Sequence, residues 1–120
     1  MFSEVIDIIN NKVKDLYFFE FSVLSLQKET LLVAGSKDFI YYHNFEIVFN
    51  DVYAILGTLN WQIIPGKLCL ELISDEAAKE LNMGYWIQQD LSIFKFNCED
   101  TLPTYIVAKT IELKDEIVYH

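Results

Sequence analysis

Histidine and cysteine ordinarily supply a general base, a nucleophile or a soft metal ligand, and this chain has two of each. A serine or cysteine hydrolase needs a histidine base that a third group holds in place. His43 is the one usable base, since the other histidine is His120, and the sequence has no G-x-S-x-G nucleophile elbow. We therefore predict a surface or half-buried strand histidine at position 43, and we do not expect an enzyme.

The two cysteines, Cys69 and Cys98, lie in apolar, strand-like contexts. Neither belongs to a C-x-x-C pair, and no histidine is near either of them in sequence, so the spacing does not predict a metal site. A free buried cysteine behaves as a small apolar side chain, and thiols stay reduced in the cytoplasm. We expect two reduced thiols, with no metal and no cofactor.

Paired carboxylates can act as general acid and general base, but eighteen acidic residues make adjacent pairs common by chance. The adjacent pairs are Asp75-Glu76, Glu99-Asp100 and Asp115-Glu116. Neighbouring side chains on a strand point to opposite faces, which argues against a shared site there. No calcium-loop spacing and no glycine-rich phosphate loop occurs either. The sequence thus selects no catalytic pair.

The charge of the chain argues against particular classes of binding partner. All nine basic residues are lysines, and they stand against eighteen acidic residues for a net charge of −9. Arginine is the usual bidentate ligand of phosphate and carboxylate. An AT-rich genome would replace arginine by lysine without functional meaning, but such a bias leaves the excess of acids unexplained. The excess argues against nucleic acid and anionic membrane as partners, and it favours a basic protein.

The elements that would position these residues are predicted to be mostly strands. Four apolar residues recur at helical spacing and predict a first helix: Phe2, Ile6, Ile9 and Val13. Short alternating or apolar runs predict strands at residues 19–23, 31–34, 39–49, 52–58, 68–73, 91–98 and 105–113. Residues 39–58 are expected to form a β-hairpin around Asn50-Asp51. A short helix is expected near residues 75–82.

We therefore predict one α+β domain over residues 1–120, mainly antiparallel β with about six to eight strands. A sandwich or a curled half-barrel fits equally well, and so does a closed barrel. The first helix would pack at one side. No secretory signal is expected, and the uncharged stretch at residues 52–66 is shorter than the ~18 residues of a membrane helix. We expect a cytoplasmic protein.

In residues 43–52, a histidine precedes an alternating, strand-like run. The run ends in Phe49-Asn50-Asp51-Val52, ahead of a new apolar strand. This pattern resembles small acidic β-rich bacterial proteins of the polymorphic-toxin immunity type and their uncharacterised relatives. The resemblance covers residues 39–58. It implies a stoichiometric binder of another protein rather than an enzyme, and it assigns no site residue.

The leading hypothesis is a non-catalytic protein-binding module, of which an immunity-type antitoxin is one form. Its acidic surface would include a short helix, and two tryptophans from poorly patterned segments would act as anchors. The candidate partner-binding residues are Glu71, Asp75, Glu76, Glu80, Trp61 and Trp86. The alternatives are a small-molecule carrier with an aromatic-lined pocket, and a structural homodimer that buries an uncharged surface near residues 52–66.

Overall fold

A computed structural model describes residues 2–73, 90–99 and 101–120 of the chain. Its elements are α1 (Phe2–Val13), β1 (Glu20–Gln27), β2 (Thr30–Ser36), β3 (Tyr42–His43), β4 (Phe45–Asn50), β5 (Ala54–Leu56), β6 (Asn60–Gln62), β7 (Leu70–Leu72), β8 (Ser92–Phe96), β9 (Thr104–Ala108), β10 (Thr110–Lys114) and β11 (Val118–Tyr119). The predicted helix near residues 75–82 lies outside the described residues. In the described ranges, no helix has both the length and the apolar character needed to cross a membrane.

Helix α1 forms where the apolar spacing predicts it. Ile6, Ile9 and Val13 are buried on one face. Glu4 in the first turn and Lys12 in the last turn complement the helix dipole. The Lys12 Nζ also lies 2.6 Å from Asp115 Oδ2, just beyond β10. The helix is thereby fastened to the sheet at its carboxyl end.

The strands pair antiparallel throughout the described residues and form three sheets. The strand orders are β10-β4-β2-β1-β6, β5-β9-β8-β7 and β11-β3. In the described part of the chain, none of these orders closes on itself. The fold is therefore mainly antiparallel β with an amino-terminal helix, as the alternation predicts.

Two strand pairs link the larger sheets. β4 pairs with β10 in one sheet, and the continuing strands β5 and β9 pair in the other. The predicted hairpin over residues 39–58 is wrong, because β4 and β5 belong to different sheets. Asp51, which takes a positive φ of 53°, lies in the segment between these two strands. Lys109 lies between β9 and β10, and its N–H donates to the carbonyl of Asn50 at the end of β4 at 3.0 Å.

Aromatic side chains from both larger sheets meet in one core. Phe21 on β1 packs against Phe96 on β8, with ring centroids 5.2 Å apart. Phe45 on β4 stacks on Phe19 at 5.4 Å. Each large aromatic removes roughly 150–250 Å² from water, so this cluster dominates the apolar burial of the fold.

Candidate functional site

The predicted acidic surface is represented in the described residues by Glu71 on β7. Its Oε2 accepts a hydrogen bond from Asn97 Nδ2 at 2.7 Å. Lys95 lies directly opposite it in the β7–β8 register. Glu71 is therefore engaged within its own sheet. The other acidic candidates, Asp75, Glu76 and Glu80, lie outside the described residues, as does Trp86.

Trp61 does not stand on an exposed loop. It lies in β6, opposite Phe21 of β1, and only 4% of its surface is exposed. Its ring centroid lies 5.9 Å from that of Phe21 and 4.8 Å from that of Phe96. The reason is register, because the strand pairing points the indole to the same inner face as Phe21. The indole N–H finds no hydrogen-bond partner in the part of the chain that the structure describes.

Exposed aromatic and aliphatic residues gather instead around β3 and β11, which we call the β3–β11 ribbon. Tyr119 lies opposite Tyr42, and their rings are 6.3 Å apart. Tyr119 is 78% exposed and Tyr41, just before β3, is 66% exposed. Ile40 is 78% exposed. A short two-stranded ribbon thus presents large apolar side chains to solvent.

A chain of hydrogen-bonded groups lies behind this ribbon, and we call it the histidine array. Glu46 Oε2 lies 2.7 Å from His43 Nε2. His43 Nδ1 lies 2.8 Å from His120 Nε2. His120 Nδ1 lies 2.8 Å from the Phe39 carbonyl oxygen. His43 is buried, with 4% exposure, whereas the last contact lies at the surface. The array therefore joins β4, β3, β11 and the segment before β3.

Local hydrogen bonds explain how the segment before β3 is placed. The Ser36 hydroxyl donates to the Tyr42 carbonyl at 2.7 Å and accepts from the Asp38 N–H at 2.9 Å. The Asp38 carboxylate accepts from the Ile40 N–H at 3.1 Å. Side chains of this type ordinarily stabilise such turns. They hold the Phe39 carbonyl where His120 can donate to it.

Asn44 separates the two strands that carry His43 and Glu46. Its N–H donates to the Gly35 carbonyl at 2.7 Å, and its Oδ1 accepts from the Lys37 N–H at 3.0 Å. Beyond this break, Phe45 turns into the core and Glu46 lies on the opposite face of β4. The interruption lets residues 43 and 46 meet although they belong to different strands.

The histidine array has the chemistry of a hydrogen-bonded lock. Both ring nitrogens of His43 face a partner at hydrogen-bond distance. The three side chains do not converge on a common point, and among the described residues no group of three or more His, Cys, Asp or Glu is arranged to hold a metal ion. The exposed ribbon beside it offers contact surface.

A second buried polar cluster, which we call the amide cluster, fastens α1 to β7. Asn10 Oδ1 accepts from the Cys69 N–H at 2.9 Å and from the Leu70 N–H at 3.1 Å, and Asn10 Nδ2 donates to the Leu70 carbonyl at 2.8 Å. The Cys69 Sγ lies 3.1 Å from the same Oδ1. Burial raises the pKa of the Cys69 thiol to about 12. Cys69 is therefore a neutral donor rather than a nucleophile, and both cysteines are free and buried.

The sequence did not single out Glu46 or His120 as partners of His43. The i, i+3 spacing of His43 and Glu46 is a local signal, although it becomes meaningful only when Asn44 breaks the strand. His120 lies 77 positions from His43, and no local pattern links them. Comparisons of the chain with protein-family models, with curated proteins and with solved structures each found no match.

Proposed function

We propose that the chain is a non-catalytic protein-binding module that meets a basic partner protein through the β3–β11 ribbon. The observation that carries this proposal is the exposure of Tyr119 on β11 and of Ile40 and Tyr41 in the segment that leads into β3. Tyrosine provides a large contact area with few rotatable bonds and is enriched in protein interfaces. An immunity-type antitoxin is one form that such a binder would take.

Charge supports a basic partner. The chain carries eighteen acidic residues against nine lysines. Around the ribbon, Asp38 precedes β3, and Glu116 precedes β11. Carboxylates at the rim of an aromatic surface attract cationic side chains and speed their encounter. The tyrosine rings themselves bind lysine and arginine through their faces.

The packing of Trp61 favours a binder over a small-molecule carrier. The carrier hypothesis required a pocket beside Trp61 or Trp86. Trp61 contacts Phe21 and Phe96 directly, so this indole fills space within the core.

The proposal is tested by capture with matched variants. The chain is immobilised and exposed to an extract of its source organism at low and at high salt. The ribbon variant Tyr41→Ser/Tyr119→Ser is compared with Tyr17→Ser, which removes a still more exposed tyrosine outside the ribbon. We expect a protein with a basic surface to be recovered in stoichiometric amount at low salt, less at high salt, and at least tenfold less by the ribbon variant.

Two outcomes would overturn this function. One is that no captured protein depends on the ribbon, so that both tyrosine variants retain the same proteins. The other is self-association, which sedimentation of the purified chain would reveal as a dimer that the ribbon variant abolishes. In that case the ribbon would be the interface between two copies of this chain.

A further inference from the structure

We propose that the histidine array is a proton-dependent latch that holds β11 against β3. The latch is closed only while the array carries one proton more than two neutral imidazoles supply. The device goes beyond the proposed function, because it concerns how the ribbon itself is kept closed. Its effect on partner binding, in contrast, rests on the proposed function. The inference depends on a count of protons along the three contacts.

The two ends of the array are acceptors. The Phe39 carbonyl carries no proton, and a carboxylate such as Glu46 accepts only. Three contacts join these ends through His43 and His120, and each contact needs one proton to be a hydrogen bond. A neutral imidazole brings one N–H, so two neutral rings supply two protons for three contacts. The third proton must be added, whether it resides on an imidazole or on the carboxyl group.

With this added proton the array has no net charge. One positive charge on the imidazoles offsets one negative charge on Glu46, or both groups are neutral. Neutrality matches the burial of His43, because an uncompensated charge in such a position is strongly unfavourable. Without the added proton, one contact sets two lone pairs against each other at less than 3 Å, since the contacts measure 2.7 and 2.8 Å.

Charged residues on the neighbouring strands and in the segment before β3 surround the array in sequence register. On β10, Lys114 lies directly opposite Glu46, and on β2 the residue opposite it is the uncharged Ala34. The segment before β3 contributes Lys37 and Asp38.

Within the ribbon itself, the titratable neighbours are the phenols of Tyr42 and Tyr119, whose rings contact each other. The Phe39 ring packs against both imidazoles, at 6.5 Å from His43 and 6.4 Å from His120, and carries no charge. The lysine on β10 is thus the charged side chain placed directly across from the carboxylate.

Besides the array, a short strand pairing and the ring contacts of Tyr119 and His120 hold β11 in place. Its strand pairing consists of Val118 with His43 and Tyr119 with Tyr42. The His120 N–H adds one hydrogen bond to the Tyr41 carbonyl at 2.9 Å. A two-stranded ribbon of this length is marginal in water. Loss of one contact in the array therefore shifts the equilibrium markedly towards an open ribbon.

The direction of the pH dependence follows from linkage. On the alkaline side, the closed ribbon binds one proton more than the open ribbon, so closing weakens as pH rises, by at most about tenfold per pH unit. On the acidic side, a fourth proton either sets N–H against N–H between the rings or neutralises Glu46 beside an imidazolium, which then lacks its counter-charge. The latch is therefore closed at intermediate pH and opens towards both limits.

Glu46→Gln tests the count directly. A glutamine amide has its own N–H, so it can donate to His43 Nε2 and complete all three contacts without an added proton. We expect this variant to keep the ribbon closed and to lose the alkaline opening. Glu112→Gln is the matched control, because it neutralises a carboxylate on the adjacent strand β10 that contacts Asn50 rather than the array.

The readout is NMR of the purified, partner-free chain across pH. Imidazole ¹⁵N shifts report the protons on both rings, and protection factors of the Val118 and His120 amides, corrected for intrinsic exchange, report closing. We expect bell-shaped protection in the unmodified chain and in Glu112→Gln, with protection falling at least tenfold on the alkaline limb. Glu46→Gln should show no alkaline limb.

Three results would overturn the latch: protection independent of pH, an alkaline limb that survives in Glu46→Gln, or two neutral imidazoles in a fully protected ribbon of the unmodified chain. A change of the imidazole signals on adding a chelator would also overturn it, because a metal ion would then link the rings. None of these measurements involves a partner. Failure of the latch is therefore distinguishable from failure of the proposed function, which the capture experiment decides.

Discussion

Two polar clusters fasten distant segments of this chain, and they differ in whether a proton must be added to complete them. In the amide cluster, Asn10 of α1 offers both an acceptor and a donor to the backbone of β7, so every contact is made without any charge. In the histidine array, both ends are acceptors, and the contacts are one proton short when the two rings are neutral.

This difference determines which attachment in the fold responds to pH. An asparagine amide does not titrate in the physiological range, so the attachment of α1 is the same across that range. Imidazoles and a carboxyl group do titrate, so the attachment of β11 follows pH. The permanent attachment belongs to the core, and the variable one lies beneath the exposed tyrosines of the β3–β11 ribbon.

The largest effect is expected from making the amide cluster titratable with Asn10→Asp. An ionised carboxylate would place an oxygen against the Leu70 carbonyl, where the amide now donates at 2.8 Å. We expect a loss of about 4 kcal/mol in unfolding free energy at pH 8. Burial and this repulsion should raise the carboxyl pKa in the folded state, so stability falls as pH rises above about 4. Urea unfolding at several pH values measures it.

Asn10→Ala is the matched control for this substitution. It leaves the Cys69 and Leu70 N–H groups and the Leu70 carbonyl without their side-chain partner. We expect a loss of about 2–3 kcal/mol with no dependence on pH between about 4 and 8. Equal losses of unfolding free energy for the two variants at pH 8 would show that the amide cluster tolerates a charge. They would contradict the proposed difference between the amide cluster and the histidine array.

The sequence predicted the elements that are governed by one local period. Helix α1 and most strands were expected because alternation at a spacing of two or of three to four residues records which side chains face the core. Alternation does not record which strand pairs with which. The expected hairpin over residues 39–58 is wrong for this reason, because β4 pairs with β2 and β10 whereas β5 pairs with β9 in the other sheet.

The candidate site was less predictable for the same reason. Each strand of the β3–β11 ribbon has two residues, too few for any alternation. His43 and His120 are joined by tertiary pairing across 77 positions, and with eighteen acidic residues in the chain a carboxylate close to a histidine in sequence is expected by chance. The segment around Trp61 lacks a clear pattern, so the sequence does not decide between core and interface for this indole, which pairing with Phe21 of β1 buries.

The thiol of the amide cluster gives the next effect, at a pH far from neutral. Because burial raises the pKa of Cys69 from 9.0 to about 12, the folded state favours the neutral thiol. The free energy of unfolding is therefore unaffected by the ionisation of this thiol below pH 9. It falls as pH rises towards 12, by at most about 1.4 kcal/mol per pH unit. Cys69→Ala should flatten this alkaline decline in denaturant unfolding. Cys98→Ala, which also removes a buried thiol, should keep it.

The smallest effect is expected from His120→Ala, because this side chain fastens only the ribbon. The substitution removes the contacts to His43 Nδ1 and to the Phe39 carbonyl but leaves the core untouched. We expect a loss of about 1 kcal/mol or less in global unfolding free energy, since the contact to Phe39 lies at the surface and each such hydrogen bond contributes modestly. Hydrogen exchange should still show a selective change, with the Val118 amide losing protection while β1 and β2 keep theirs. If exchange instead accelerated equally in β1, β2 and β11, the ribbon would open only when the whole domain unfolds. The histidine array would then be as permanent an attachment as the amide cluster, whatever its proton count.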